Sequence, residues 1–460
     1  MDNNETLLDG SPECFKQIFF KYITHSTARG IDNINFEKYK LRIDENSELI
    51  SRKFKNGKYK FSCFREKLIL KGRKKEPRII SIPTIRDKVF LKYIQLILKA
   101  KCTDIIQKIP QFYIEELKGN IKSYNYVIKL DIEKYYDNIN HEILEGRLIK
   151  IGIDEDSINL IKRAISRPII NEYELYNSRI KKNKNIKGVP QGLSISNILA
   201  AIYIKEIDDL FNKKGNIKYI RYVDDIIILC DEDEADSLYN EIKNLLYDKL
   251  RLNINDKEYR HKIDNEIDVS FLGYNYTCIY NKFNGFTIKS ENLFKFENTI
   301  VNIFTRFESD KNMSKEEFIF RLNNKITGSI SKNVDTDNTR ESKYGWLFFY
   351  SQIDDYTIPY NLDKLIDKLL NRFQRCSSIK RDEIKRFSKA FSEIRSNIRN
   401  TTYIHRPDEL DVDGRKQLLI DIFKINKNTL KDDDKINKVY YKYVYKDIKQ
   451  SQKDIQQMIS

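Results

Sequence analysis

The sequence predicts an α+β body followed by an α-helical C-terminal region. Two patterns carry this. Runs of β-branched and aromatic residues bounded by turn residues cluster in the centre, and apolar positions at helical spacing dominate from about residue 290. A length of 460 residues allows two or three domains, and the pattern divides it into a helical extension at 1–60, a mixed body at 61–288 and a helical region at 289–460. Gly and Pro are sparse, at 15 and 8 residues, and no Gly/Ser linker or internal repeat is visible.

In chain order, residues 12–56 read as helical, with Phe15, Phe19 and Tyr22 as a core stripe. "FSCFREKLILKGRKKEPRIISIPTIRDKVFLKYIQLIL" reads strand, basic turn, strand, then a helix from Thr84. "YNYVIKLDIEKYYDNINHEILEGRLIKIG" reads strand, irregular turn, helix. "KGVPQGLSISNILAAIYIKEIDDLF" is a Gly/Pro loop entering an apolar helix. "KYIRYVDDIIILC" is a hairpin with Asp-Asp at its tip, and "ADSLYNEIKNLLYDKLRLNIN" is an amphipathic helix. "DVSFLGYNYTCIYNKFNGFTIK" returns to short strands, with turns expected at Asn281 and Asn284-Gly285. In "LDKLIDKLLNRF", Leu362, Leu365, Ile366, Leu369 and Phe373 fall at helical spacing.

Composition narrows the partner. Lys plus Arg outnumber Asp plus Glu by 83 to 68, a net charge of +15 that favours a polyanion. An AT-rich genome, which over-uses Lys, Asn, Ile and Tyr, accounts for part of that surplus. The polar start "MDNNETLLDGSPECF" does not read as a signal peptide, and no apolar run nears membrane-spanning length, so a cytoplasmic protein without a membrane partner is expected. Six scattered cysteines without a Cys-x-x-Cys pair fit reduced thiols.

The chemistry rests on three carboxylates. Asp131 ends the apolar strand "VIKL", and Asp224 and Asp225 sit on the later hairpin. Alone, Asp131 reads as a helix cap and Asp-Asp as a solvated turn. On adjacent strands of one antiparallel sheet they would form a cluster that repels itself unless cations neutralise it. Mg²⁺ suits such oxygen donors and bridges them to phosphates; a pair of ions roughly 3.5–4 Å apart supports phosphoryl transfer.

Seven blocks in order then resemble the prokaryotic reverse transcriptases: "HSTARGIDNI", "LILKGRKKEPRIISIPTIRDKV", "KLDIEKYYDNINH", "GVPQGLSISNILAAIYI", "RYVDDIIIL", "LNINDKE" and "SFLGY". The resemblance covers roughly residues 20–280 and implies a right-hand polymerase fold, with fingers and an antiparallel palm followed by a helical thumb. It implies that Asp131, Asp224 and Asp225 hold two Mg²⁺ ions (or Mn²⁺), helped by the Ile132 carbonyl. Tyr136 becomes the steric gate under the nucleotide sugar, and Gln191 and Gly192 part of the nucleotide pocket. Lys71, Arg73 and above all Arg78 become candidates for the triphosphate, Lys257 the proton donor to pyrophosphate, and Phe271, Leu272, Gly273 and Tyr274 the primer grip.

Within that family the chain lacks a Cys-x-x-Cys or His-Asn-His nuclease segment. "SKYGWLFFYSQIDDYTIPYNLDKLIDKLLNRF" is similar to segments of bacterial defence-associated, antiphage reverse transcriptases. That resemblance implies a non-coding RNA template, dNTPs, a DNA product and a homo-oligomer. The alternatives are a domesticated group II intron-type enzyme and an RNA-binding scaffold. "SSIKRDEIKRFSKAFSEIRSNIRN" and "NKVYYKYVYKDIK" read as RNA-facing segments or, equally, as a solvated helix and an ordinary strand.

Overall fold

The computed structural model describes residues 8–23, 28–70, 76–105, 107–171, 185–256, 258–264, 266–279, 283–332, 341–445 and 447–448. Contacts divide the chain into two units, one of residues 1–108 and 120–262 and one of residues 109–119 and 263–460.

The first unit contains strands β1 (Phe64–Ile69), β2 (Arg78–Ile82), β3 (Tyr126–Asp131), β4 (Ile169–Ile170), β5 (Lys218–Tyr222), β6 (Asp225–Cys230) and β7 (Tyr259–Lys262). β1 pairs antiparallel with β2 and parallel with β4; β5-β6-β3-β7 form a separate antiparallel sheet. Val127, Ile128 and Leu130 of β3 and Ile226 to Cys230 of β6 are fully buried, which explains the unbroken apolar sequence of β6; Lys129 interrupts that of β3. Helices Ser196–Asn212 and Glu232–Leu250 pack against this sheet.

N-terminal helices Pro12–Tyr22, Phe36–Lys40 and Ile43–Lys55 share a core with helix Ile85–Lys101. The first and last begin as the sequence dictates: Ser11 Oγ accepts from the Cys14 amide (3.1 Å) and Thr84 Oγ1 from the Asp87 amide (3.2 Å). Phe15 and Phe19 are buried core, and Phe90 stacks on Tyr59 at 3.9 Å between ring centroids.

The second unit has a meander of β8 (Asp268–Phe271), β9 (Tyr274–Ile279) and β10 (Phe283–Ile288), and a hairpin of β11 (Ser329–Lys332) and β12 (Glu341–Tyr344). Its principal helices are Pro110–Asn120, Ser290–Ser309, Lys315–Thr327, Thr357–Arg372, Phe387–Ser396, Val412–Asp421 and Asp433–Tyr440. Trp346 stacks on Phe296 at 4.0 Å, and Tyr274 packs on Tyr350 at 5.1 Å.

Two expectations change. Asn284 and Gly285 lie inside β10, not in a turn; a Cβ on Gly285 would stand 2.8 Å from Asp354, so the glycine permits close approach. Asn281 lies outside the described residues. The "VYYKYVY" stretch is a helix ending in a π-type turn over Tyr441–Tyr445, not a strand, and Tyr440 and Tyr445 are buried in it.

Candidate active site

The hairpin and its neighbour bring the three carboxylates to one end of the sheet. β3 and β6 pair in a register that sets Asp131 directly opposite Asp225. Cross-strand partners of this kind point to the same face, with Cβ atoms about 5 Å apart. The turn between β5 and β6 consists of Val223 and Asp224, since Tyr222 pairs with Asp225. The Ile132 amide donates to the Asp224 carbonyl at 3.1 Å and locks the turn to the end of β3.

Val223 has φ +58°, a conformation that a β-branched residue rarely takes and that a two-residue hairpin normally assigns to Gly. Its support is a buried cluster. Arg221 Nη1 donates to the Val223 carbonyl at 2.9 Å and Nε to Asp208 Oδ1 at 2.7 Å; Nη2 also reaches the Asp208 carboxylate. Tyr219 adds its hydroxyl to Asp208 at 2.8 Å. Burial alone would depress the Arg221 guanidinium, but the Asp208 charge outweighs it and holds the group protonated above its ordinary range.

Other polar residues complete the carboxylate end. Asn255 donates from its amide to the Asp131 carbonyl (2.7 Å) and from Nδ2 to Asp131 Oδ2 (3.1 Å). Lys129 Nζ stands 3.9 Å from Asp225 Oδ1. The hard oxygens of Asp131, Asp224 and Asp225 fit Mg²⁺ in donor type and register. Among the described residues, however, no three Asp, Glu, His or Cys side chains are drawn together closely enough to hold an ion.

Beyond β3, Lys134 adopts φ +44° and the chain enters the short helix Tyr135–Asn138. Tyr135 is buried and donates to the Ala200 carbonyl at 2.5 Å, anchoring the turn. Tyr136 donates to Asn197 Oδ1 at 2.9 Å. Burial, with the Asp224 charge adding to it and Arg78 opposing it, raises the Tyr136 phenol well above its usual range. Tyr136, Asp224 and Arg78 therefore share one electrostatic neighbourhood.

The Gly-Val-Pro-Gln-Gly loop ties this helix to β2. The Val189 amide donates to the Tyr136 carbonyl (2.8 Å), and the Ser81 amide to the Gln191 carbonyl (2.7 Å). Gly192 has φ +102°, and a Cβ there would lie 2.8 Å from both the Ser81 oxygen and Ile80 Cγ2. Its lack of a side chain thus serves contact with β2.

Lys71, Arg73 and Lys257 lie outside the described residues. Phe271 to Tyr274 belong to the second unit, where Leu272 (φ +49°) and Gly273 (φ +80°) form the tight β8–β9 turn. Phe271, Leu272 and Tyr274 are buried, and Tyr274 donates to the Phe349 carbonyl. Sequence reasoning missed the supporting residues Asn255, Lys129, Asn197, Asp208 and Arg221. Arg221 directly precedes the motif and Asn255 lies in the "LNINDKE" block, but Asp208 carries no local signal.

Residues 69–276 match the family described as reverse transcriptase (RNA-dependent DNA polymerase). The chain is 25% identical over 234 residues to the group II intron-encoded protein LtrA of Lactococcus lactis subsp. cremoris, covering 48% of this chain and 37% of that protein. It is 27% identical over 181 residues to an uncharacterized 91 kDa protein in cob intron of Schizosaccharomyces pombe, covering 37% of this chain and 21% of that protein. The chain thus spans well under half the length of these curated relatives. The apo telomerase of Candida tropicalis is similar at a TM-score of 0.43 and 13% identity, over 86% of this chain and 68% of that one. Among the described residues, no helix is long and apolar enough to cross a membrane. The similarity to reverse transcriptases thus extends over residues 69–276, somewhat under half of the chain.

Proposed function

We propose that the protein is an RNA-directed DNA polymerase that extends DNA from dNTPs on an associated non-coding RNA and serves bacterial antiphage defence. The observation that carries the polymerase reading is the register of β3 and β6, which sets Asp131 opposite Asp225 beside Asp224 within the family match. Asp131, Asp224 and Asp225 hold the catalytic Mg²⁺ ions in this reading, with the Ile132 carbonyl assisting. Bound Mg²⁺ supplies charge stabilisation for the attacking hydroxyl and the leaving pyrophosphate.

The chain's own residues do the rest. Tyr136, tethered through Asn197, leaves no room for a ribose 2′-hydroxyl. Arg78, with Lys71 and Arg73, takes the triphosphate; Gln191 lines the nucleotide pocket; Lys257 protonates pyrophosphate. The Phe271–Tyr274 turn grips the primer through its backbone, because its three side chains are buried and Gly273 has none. The antiphage role, the non-coding RNA and a homo-oligomeric assembly rest on the sequence resemblance alone.

Similarity to group II intron-encoded proteins favours a second reading, a domesticated intron-type reverse transcriptase. One experiment addresses both. The protein is purified from its native locus with bound nucleic acid, given Mg²⁺ and each labelled dNTP, and RNA and product are sequenced. RNA-dependent incorporation that disappears in Asp224→Ala/Asp225→Ala supports the polymerase; a small RNA encoded beside the gene favours defence and an intron ribozyme the alternative. Bound RNA without incorporation under any dNTP mixture points instead to a scaffold.

A further inference from the structure

Helix Thr357–Arg372 buries Ile358, Pro359, Leu362, Ile366 and Leu369. Its opposite face carries an exposed stripe in which Tyr356 and Tyr360, 55% and 60% exposed, are followed by Lys364 and Lys368. The four-residue spacing stacks these side chains one above another, with about 6 Å of rise between neighbours.

The stripe is braced at one end. Phe391 meets the Tyr356 ring edge-on at 5.7 Å, and the Arg395 guanidinium stands 5.4 Å from its centroid. Arg395 is itself anchored, donating from Nη1 to the Ile353 carbonyl at 2.9 Å. Among the described residues, the side chains of Tyr360, Lys364 and Lys368 make no hydrogen bond, ion pair or ring contact.

The acids nearby are already committed. Asp355 accepts from the Thr357 amide (3.0 Å), Asp363 from the Phe387 amide (2.7 Å), and Asp367 pairs with Arg381. Asp355 keeps an acid at the Tyr356 end, while Asp367 is paired with Arg381, so the positive charge of the stripe lies at its Lys364 and Lys368 end. Exposed phenol rings beside free cations match unpaired nucleic acid, whose bases stack and whose phosphates need neutralising. A protein partner would call for a broader apolar area than two tyrosine rings.

We infer that this stripe is a ledge for single-stranded RNA, with bases stacked on Tyr356 and Tyr360 and the following phosphates on Lys364 and Lys368. The inference deepens the proposed polymerase function by naming a contact for the unpaired part of its RNA.

The test is fluorescence anisotropy of the full-length protein with a labelled unstructured oligouridylate and, separately, an RNA duplex. Tyr356→Ala/Tyr360→Ala should weaken single-strand binding about tenfold or more, and Tyr356→Phe/Tyr360→Phe should restore it. Lys364→Gln/Lys368→Gln should reduce the slope of log affinity against log salt by roughly 1.4. Duplex affinity should not change with the tyrosine pair. Unaltered single-strand affinity in the alanine pair, or failure of the phenylalanine pair to restore it, would overturn the assignment. So would a change confined to oligomeric state in sedimentation, which would make the stripe a contact between copies of the chain. Primer extension by the same preparations separates the two claims. A wild-type protein that extends nothing, with variants that still lose RNA, removes the polymerase and keeps the ledge. Normal extension with unchanged RNA binding removes only the ledge.

Discussion

The guanidinium of Arg221 reaches over its own strand end and donates to the carbonyl of Val223, 2.9 Å away. That bond holds a valine at positive φ in the turn that presents Asp224, and Asp208 fixes the guanidinium from the helix behind. Arg221→Met should therefore act twice. It leaves the largely buried Asp208 carboxylate unpaired, at a cost of roughly 3 kcal/mol, and releases the turn. Arg221→Met/Asp208→Leu should recover most of the thermal stability, because no buried charge remains. Primer extension should stay strongly reduced in that double variant. Recovery of both together would show that the clamp has no role in positioning Asp224.

Gly192 tests the junction between the Pro-Gln-Gly loop and β2. Gly192→Ala places a Cβ against the Ser81 oxygen at a φ of +102°. A loss of about 1–3 kcal/mol in unfolding free energy is expected, accompanied by weaker dNTP binding. Denaturant melts with an unchanged midpoint would mean that the loop can withdraw without penalty.

Tyr136 governs sugar selection in the proposed site. Tyr136→Ala should raise ribonucleotide incorporation relative to deoxynucleotides, roughly tenfold or more on the energetics of removing a well-placed steric block. Tyr136→Phe keeps the ring while losing the bond to Asn197, so discrimination should persist with a higher KM. Competition assays with paired rNTP and dNTP substrates would read both effects; equal selectivity in all three proteins would remove Tyr136 from the pocket.

His405 sets an acid limit on the second unit. Among the described residues its two buried ring nitrogens have no hydrogen-bond partner, and burial, with the Lys385 charge adding to it, pushes its pKa down to about 4. A base depressed in the folded state leaves stability intact above its unfolded pKa of about 6.5. As pH falls below that value the unfolded chain takes up the proton first, so stability is lost progressively down to about 4. The contribution should be roughly 3 kcal/mol. His405→Phe should flatten that part of the pH–stability curve, and an identical slope in both proteins would assign the acid sensitivity to carboxylates instead.

Much of this molecule is legible in one dimension because its signals are local. The unbroken apolar run after Asp225 belongs to a strand buried on both faces, and Ser11 and Thr84 start their helices by bonding amides three residues ahead. The order of Asp131, the Pro-Gln-Gly loop and the Val-Asp-Asp hairpin carried the resemblance to reverse transcriptases, and residues 69–276 match that family. Register is different, since pairing Asp131 with Asp225 depends on strands almost a hundred residues apart. The same holds for the Arg221–Asp208 clamp and for Asn255 on Asp131, where each polar residue looks ordinary until its distant partner is known. Gly285 illustrates the limit well. Next to Asn284 it reads as a turn, but the approach of Asp354 makes it a strand residue. The sequence by itself determined most element types, the carboxylate motif and the resemblance to reverse transcriptases, because propensity, capping and motif spacing act over a few residues. Only the tertiary structure decided which strands pair, what supports the strained turn and which tyrosines remain exposed, because those follow from burial shared between segments far apart in the chain.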